Sequence, residues 1–239
     1  MVFEFNRIYI GVLLLCIFII SFYYNLDYFI LSILTIFIFY DLYNSNFINN
    51  FYSFLLSIIL SITLYIISIN YDFVDYINLF LIIFVLLIIF FLNKPNFSQK
   101  LIFLSIVIIF IYNFYEVINT NRKIFYFIIF ISFYNDTIAY IFGRLIKGPL
   151  IVSSISPKKT WSGTLLSIFV SFFTIYYFGY PVIISFLLSI SLFFGDIFFS
   201  FIKRVNNLKD FSNILKGHGG ILDRLDSMFF FIIIMNYYL

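Results

Sequence analysis

Residues 181–226 read PVIISFLLSISLFFGDIFFSFIKRVNNLKDFSNILKGHGGILDRLD, and the change of character inside this stretch decides the fold. From Pro181 to Ile202 the only charge is Asp196, and the apolar residues run continuously rather than alternating. That is the pattern of a helix in lipid, where each backbone group must be bonded within its own segment. From Ser200 to Asp226 the chain turns polar, with five of the 14 basic residues, three of the 11 acidic ones and the single histidine. The order is S-x-x-K-R, K-D after a four-residue gap, H-G-G, then D-R-x-D. Cations here can grip phosphate, glycines admit close backbone approach, and carboxylates suit Mg²⁺. The stretch reads as a phosphate and metal site at a membrane surface.

The rest of the chain fits such a setting. It is 64% hydrophobic and 10% charged, where soluble proteins carry roughly a quarter charged residues. A water-soluble domain is excluded, and an all-α, polytopic transmembrane helical bundle is predicted. The 38 Phe and 20 Tyr, beside abundant Ile, Asn and Lys, look like AT-rich coding bias, so the aromatics are not read as a binding stripe. The net charge of +3 implies a mild preference for anionic surfaces. Cys16 is alone in an apolar run and forms no internal disulfide.

Apolar runs near the required roughly 17–25 residues predict nine spans. They lie at about Ile8–Tyr24, Tyr28–Tyr40, Phe51–Ile69, Ile77–Leu92, Leu101–Ile118, Ile124–Phe142, Gly163–Tyr180, Pro181–Ile202 and Leu225–Leu239; the second and last are short. No small-residue cleavage site follows the first, which is expected to be retained. Counting from a cytoplasmic N-terminus, 12 of 14 basic residues fall inside, and only Arg122 and Lys123 outside. The positive-inside rule puts the motif loops in the cytoplasm and the C-terminus outside. The chain is one integral-membrane domain, with residues 1–120 an N-terminal helical scaffold and 121–239 the catalytic helices and loops.

Ionisable groups in lipid are functional candidates by default. Glu116, near the outer end of its span, is explained by reaching for the interface; Asp136 and Asp196 are not. On a helix Asp196, Ser200 and Lys203 share one face. The loop SSISPKKTWSG (Ser153–Gly163) offers Ser156, Lys158, Lys159 and Thr160 to phosphate, although a basic patch with an interfacial Trp161 also explains it. His218 sits in a polar loop, and Gly219 and Gly220 fit a backbone curling around phosphate oxygens or a plain turn. Asp223 and Asp226, three apart, lie on one side of a helix.

The polar stretch resembles the signature of the phosphatidate cytidylyltransferase (CDP-diacylglycerol synthase) family, in register at Ser200, Lys203, Arg204, Lys209, Asp210, Ser212, Leu215, His218, Gly219, Gly220, Asp223, Arg224 and Asp226. Two further segments are similar: Asp136, Ala139, Tyr140, Gly143 and Arg144 in D-x-x-A-Y-x-x-G-R, and S-P-K-K-T-W-x-G beginning at Ser156. Gly195-Asp196 extends the main match as G-D-x-x-x-S-x-x-K-R. Together they cover about Asn135 to Ser227. The departures are Lys216, where the family has Pro or a small residue, and Ser162 and Phe199, where it often has an acid.

The resemblance implies transfer of a cytidylyl group from CTP to phosphatidic acid, giving CDP-diacylglycerol and pyrophosphate. It implies catalytic roles for Asp196, Asp223, Lys203, Arg204, His218 and Asp226. Substrate contacts are implied for Ser156, Lys158, Lys159, Thr160, Ser200, Lys209, Asp210, Gly219, Gly220, Arg224 and Asp136. Mg²⁺ is expected on Asp196 and Asp223, with room for a second cation. The implied partners are CTP, phosphatidic acid, the lipid bilayer and a second copy in a homodimer, not nucleic acid, and the setting is a bacterial-type inner (plasma) membrane. The rivals are another CTP-dependent membrane lipid enzyme (a polyprenol or phytol kinase, or CDP-archaeol synthase) and an ion-coupled transporter.

Overall fold

The computed structural model describes residues 16–45, 95–152, 155–156, 159–214 and 219–239. The expected spans Phe51–Ile69 and Ile77–Leu92 lie outside the described residues, as does the start of the first. Among the described residues the fold is all-helical: α1 (residues 16–24), α2 (Asp27–Asn44), α3 (Pro95–Ile146), α4 (Trp161–Tyr177), α5 (Val182–Val205), α6 (Leu222–Leu225) and α7 (Met228–Tyr238). Three stretches are long and apolar enough to cross a membrane: α2, Ile106–Ile146 within α3, and α5. Helices α4 and α7 are apolar but shorter.

Helix α3 is two passes rather than one. Asn121 has extended backbone (φ −157°, ψ 101°), which interrupts the 52-residue element. Phe114 and Phe125 meet across the break with ring centroids 5.7 Å apart, whereas eleven residues of straight helix would separate them by about 16 Å. The chain therefore doubles back at residues 119–123, as the two separate apolar runs predict.

Helix α2 is longer than its apolar run. The sequence gives Tyr28–Tyr40, but the helix is 18 residues and includes Asp27 and Asp41, both buried. A charge ends an apolar run on paper; it does not end a helix whose carboxylates find donors. The last expected span is likewise divided: α6 is a single turn, and α7 begins only at Met228.

The interior is built from Phe39 and Leu42 of α2, Phe110, Phe114, Phe125 and Ile128 of α3, Leu188, Leu192 and Phe199 of α5, and Phe231 and Ile232 of α7, all buried. Outward faces are apolar too, as at Leu165, Phe169 and Phe173 on α4 and Ile183, Phe186 and Phe194 on α5. Such contiguous apolar exposure suits lipid rather than water. In lipid, close packing and interhelical hydrogen bonds replace the hydrophobic drive. Among such bonds are Ser132 Oγ with Ser227 Oγ (2.6 Å), Asn236 Nδ2 to Asn113 Oδ1 (2.9 Å) and Ser171 Oγ to Asn135 Oδ1 (3.1 Å). Helix α4 crosses the second arm of α3 at Gly163. A methyl group there would lie 2.4 Å from the Ala139 carbonyl oxygen and 2.9 Å from Gly143 Cα. Any side chain would push the two helices, and the two motifs on them, apart.

Candidate active site

The helices sort the polar residues to two ends of the bundle. At one end the α3 turn places Arg122 against Asp27. Its Nε lies 2.8 Å from Oδ2, and an Nη donates to Oδ1 (3.1 Å) and to the Phe22 carbonyl (2.6 Å). Tyr126 also donates to Asp27. This end is a closed ion pair that ties α1 and α2 to α3.

The other end gathers the three sequence motifs. Residues 149–151 and 159–161 run antiparallel around a single Leu150–Thr160 bridge, with Ile151 N donating to the Lys159 carbonyl (3.0 Å) and Trp161 N to the Pro149 carbonyl (2.9 Å). That bridge presents Lys159 to α5, where its ammonium pairs with Asp196. Asp196 also accepts from Ser200 Oγ at 3.4 Å, one helical turn on. Ser200 and Lys203 share its face as expected, but the lysine that pairs with Asp196 comes from the loop. Lys203 instead reaches Asp223 (2.8 Å) and Asp226 (3.6 Å), and all three side chains are less than a tenth exposed. Asp136 and Arg224 complete the cluster: Asp136 is within electrostatic reach of Lys159, Arg224 and Asp226. Burial pushes the Lys159 ammonium below the ordinary lysine value, while the carboxylates of Asp136 and Asp226 push it back up.

The two carboxylates expected on a metal differ. Asp223 has both oxygens committed: Oδ1 takes Lys203 and Oδ2 accepts from Phe211 N and Gly220 N, each at 2.9 Å. Asp196 is more open, 17% exposed, with one hydroxyl and one ammonium on it. Among the described residues no group of three or more Asp, Glu, His or Cys side chains is arranged to hold a metal ion. Mg²⁺ needs only one or two carboxylates when substrate phosphates and water fill the remaining positions; Asp196 has acceptor capacity to spare for it, whereas Asp223 would first have to give up Lys203 or a backbone donor.

Other expected site residues have local duties. Arg204 spends its guanidinium on the carbonyls of Ile155 (3.1 Å) and Leu208 (2.8 Å), locking the end of α5 to two loops. Thr160 caps α4 through Gly163 N (3.3 Å). Ser156 closes a turn from its backbone N–H to the Val152 carbonyl (2.9 Å). Lys209 and Asp210 stand at the rim of a cavity of about 550 Å³ with Asn44, Ser45, Ser212 and Asn213. Gly219 has φ +78°, a turn that a side chain would strain, and its neighbour Gly220 serves Asp223. Lys158, Lys216 and His218 lie outside the described residues.

The departures also find their places. Phe199 is fully buried among Phe103, Phe211 and Phe229, with ring centroids at 5.6, 6.3 and 5.4 Å. An aromatic core stands where the family resemblance leads one to expect an acid. Ser162 Oγ accepts from Gly148 N at 3.1 Å, supporting the loop that carries Lys159.

Sequence reasoning missed Asp41. It is fully buried on α2, accepting from Ser212 Oγ (2.5 Å) and Leu222 N (2.8 Å). The signal the sequence offers is an acid immediately after the apolar run that ends at Tyr40.

A family model described as the cytidylyltransferase family matches residues 5–239. The chain belongs to that family. It is 40% identical over 131 residues to a phosphatidate cytidylyltransferase of Rickettsia conorii, covering 48% of this chain and 57% of that protein. A phosphatidate cytidylyltransferase of Aquifex aeolicus is 40% identical over 113 residues, 44% of each chain. The chloroplastic phosphatidate cytidylyltransferase 4 of Arabidopsis thaliana is 39% identical over 105 residues, 40% of this chain and 27% of that one. The matched region thus spans little more than half of the bacterial relatives at most.

Proposed function

We propose that this member of the cytidylyltransferase family transfers a cytidylyl group from CTP to phosphatidic acid, releasing pyrophosphate. The observation that carries the reading is the meeting of three separated motifs on one cluster: Asp136 in electrostatic reach of Lys159 and Arg224, and the Lys159–Asp196 pair in reach of Lys203 and Asp226, which with Asp223 form the second set of ion pairs. The family, and the names its relatives bear, support the same reaction.

The chemistry asks little of a general base, because the attacking phosphate oxygen is already ionised. It asks for alignment of two anions and neutralisation of their repulsion. Lys159 and Lys203 stand where they can turn from protein carboxylates to substrate phosphates, and Ser200 adds a donor between them. Lys209, at the exposed rim, draws the polyanion in. Mg²⁺ would be held by Asp196 and Asp223, of which Asp196 is the more open, and would polarise the attacked phosphorus. The described helices fit a nine-span membrane protein whose site end faces the cytoplasm. In support, Arg144, Lys147, Lys159, Lys203, Arg204, Lys209 and Arg224 lie towards the site end, whereas Arg122 and Lys123 lie at the α3 turn. A homodimer in a bacterial-type inner membrane completes the proposal.

The test is incubation of the purified protein in phosphatidic acid micelles with Mg²⁺ and radiolabelled CTP. Label from the α-phosphate should enter a lipid product, with one pyrophosphate released per lipid labelled. Label entering lipid only from the γ-phosphate would make the protein a lipid kinase. Transfer to an ether-linked archaeal lipid in preference to phosphatidic acid would make it a CDP-archaeol synthase.

A further inference from the structure

We propose that Asp41 is a positioning residue of the cytidylyl-transfer site: from α2, in the half of the chain without motifs, it braces the two shoulders of the polar loop that carry Asp223. The inference rests on the reading given under Proposed function.

Two carboxylates share the bracing. Asp41 takes Ser212 Oγ on one oxygen and Leu222 N on the other, at 2.5 and 2.8 Å. Asp223 takes Phe211 N and Gly220 N, both at 2.9 Å. The bonded positions interleave, 211 with 220 on one carboxylate and 212 with 222 on the other. Neither acid alone fixes the loop; together they fix its two shoulders from opposite sides. Gly220 allows the arrangement, since a methyl group on it would lie 2.3 Å from Asp41 Oδ2. The same contacts set one wall of the cavity of about 550 Å³ between the end of α2 and the loop, where Ser212 lines up with Lys209 and Asp210.

The residue type follows from the donors. A hydroxyl and an amide approach from two directions, so both oxygens must accept, which a carboxylate does without rearrangement. Asparagine serves both only by turning its NH₂ to the serine oxygen. A buried carboxylate is costly, and a purely structural helix contact here could have been made apolar. The cost is spent on holding loop backbone next to Asp223, in the strand of chain that hands Lys203 its partner.

Two measurements on the full chain in detergent test this. In Asp41→Leu, hydrogen–deuterium exchange of the peptide containing Leu222 should speed up tenfold or more while exchange in α7 stays as in wild type. The KM for CTP should rise tenfold or more with a smaller loss in kcat. Asp41→Asn should recover most of both, and Ser212→Ala should add little on top of Asp41→Leu. Unchanged exchange at Leu222 overturns the brace, and faster exchange with unaltered KM and kcat overturns its role in the site. If Asp41→Leu fails to fold, Ser212→Ala decides: losing one of the two bonds to Asp41 should speed exchange in the peptides containing residues 211–214 and 219–222 and raise the KM for CTP a few-fold, and no change in exchange overturns the brace. A wild-type chain that turns over no CTP would sink the functional reading instead, and the exchange measurement would still judge the brace.

Discussion

Helix α2 carries one buried aspartate near each end, and the two are used in opposite ways. Asp27 meets a guanidinium and a tyrosine hydroxyl in an ion pair at the α3 turn. Fourteen residues away, Asp41 meets only neutral donors, and those donors belong to the loop that carries Asp223. At one end of the bundle the buried acid is matched by an arginine. The other carries the lysine–carboxylate pairs of the proposed site, Lys159 with Asp196 and Lys203 with Asp223 and Asp226. The contrast separates polar residues that hold a membrane protein together from polar residues that are held ready.

The comparison can be broken most sharply at Asp196. Asp196→Asn should lower kcat by roughly 10²–10³-fold, the range for loss of one preorganised electrostatic contact, with the protein still folded by gel filtration in detergent. Near-normal Mg²⁺-dependent turnover would move the metal elsewhere, with Asp136 the next candidate. Lys203→Met comes second. It leaves Asp223 and Asp226 buried without their cation, and removal of one partner of a buried pair costs about 3–5 kcal/mol. The melting temperature should therefore drop together with activity, and a variant that melts as wild type would show that the pair is not worth its burial.

A subtler test restores the acid at position 199. In Phe199→Glu a carboxyl enters the cluster of Phe103, Phe211 and Phe229, and burying it unpaired should cost at least about 2 kcal/mol. Higher activity at unchanged melting temperature would mean that the family's acid still has a place here. At the opposite end, Arg122→Gln should lower the melting temperature by a few degrees and leave kcat and the KM for CTP alone. A change in either constant would contradict the division between the two ends. The smallest effect belongs to exposed Lys209. Lys209→Ala should raise the KM for CTP a few-fold at 10 mM salt and hardly at 0.5 M, since the Debye length falls from about 30 Å to a few ångströms over that range.

How much of this was legible in the sequence depends on how far apart the partners lie. The helical class, the break between two passes at residues 119–123 and the sharing of a face by Asp196, Ser200 and Lys203 follow from local pattern. So does the gathering of motifs, because each carries its own charges and glycines. The partner of Asp196 was not legible: Lys203 is seven residues away on the same helix, but the structure uses Lys159 from another loop. Asp41 was hidden more deeply, since its donors lie 171 and 181 residues further on. Periodicity describes which face a residue takes, and says nothing of what will arrive opposite it. The aromatic surroundings of Phe199 were equally silent, because in a chain with 38 Phe no single ring announces a role.

The distance between Asp41 and its donors also sets an order of assembly. Helix α2 leaves the ribosome long before Ser212 is made: 171 residues separate them, about ten to thirty seconds of synthesis. For that interval the carboxylate at the end of α2 has none of its final protein donors and must rely on water at the membrane surface. Only when the last helices insert does the loop close over it. The end that carries the proposed site is thus the last part to be completed, and its completion gives the Asp41 carboxylate its two protein donors.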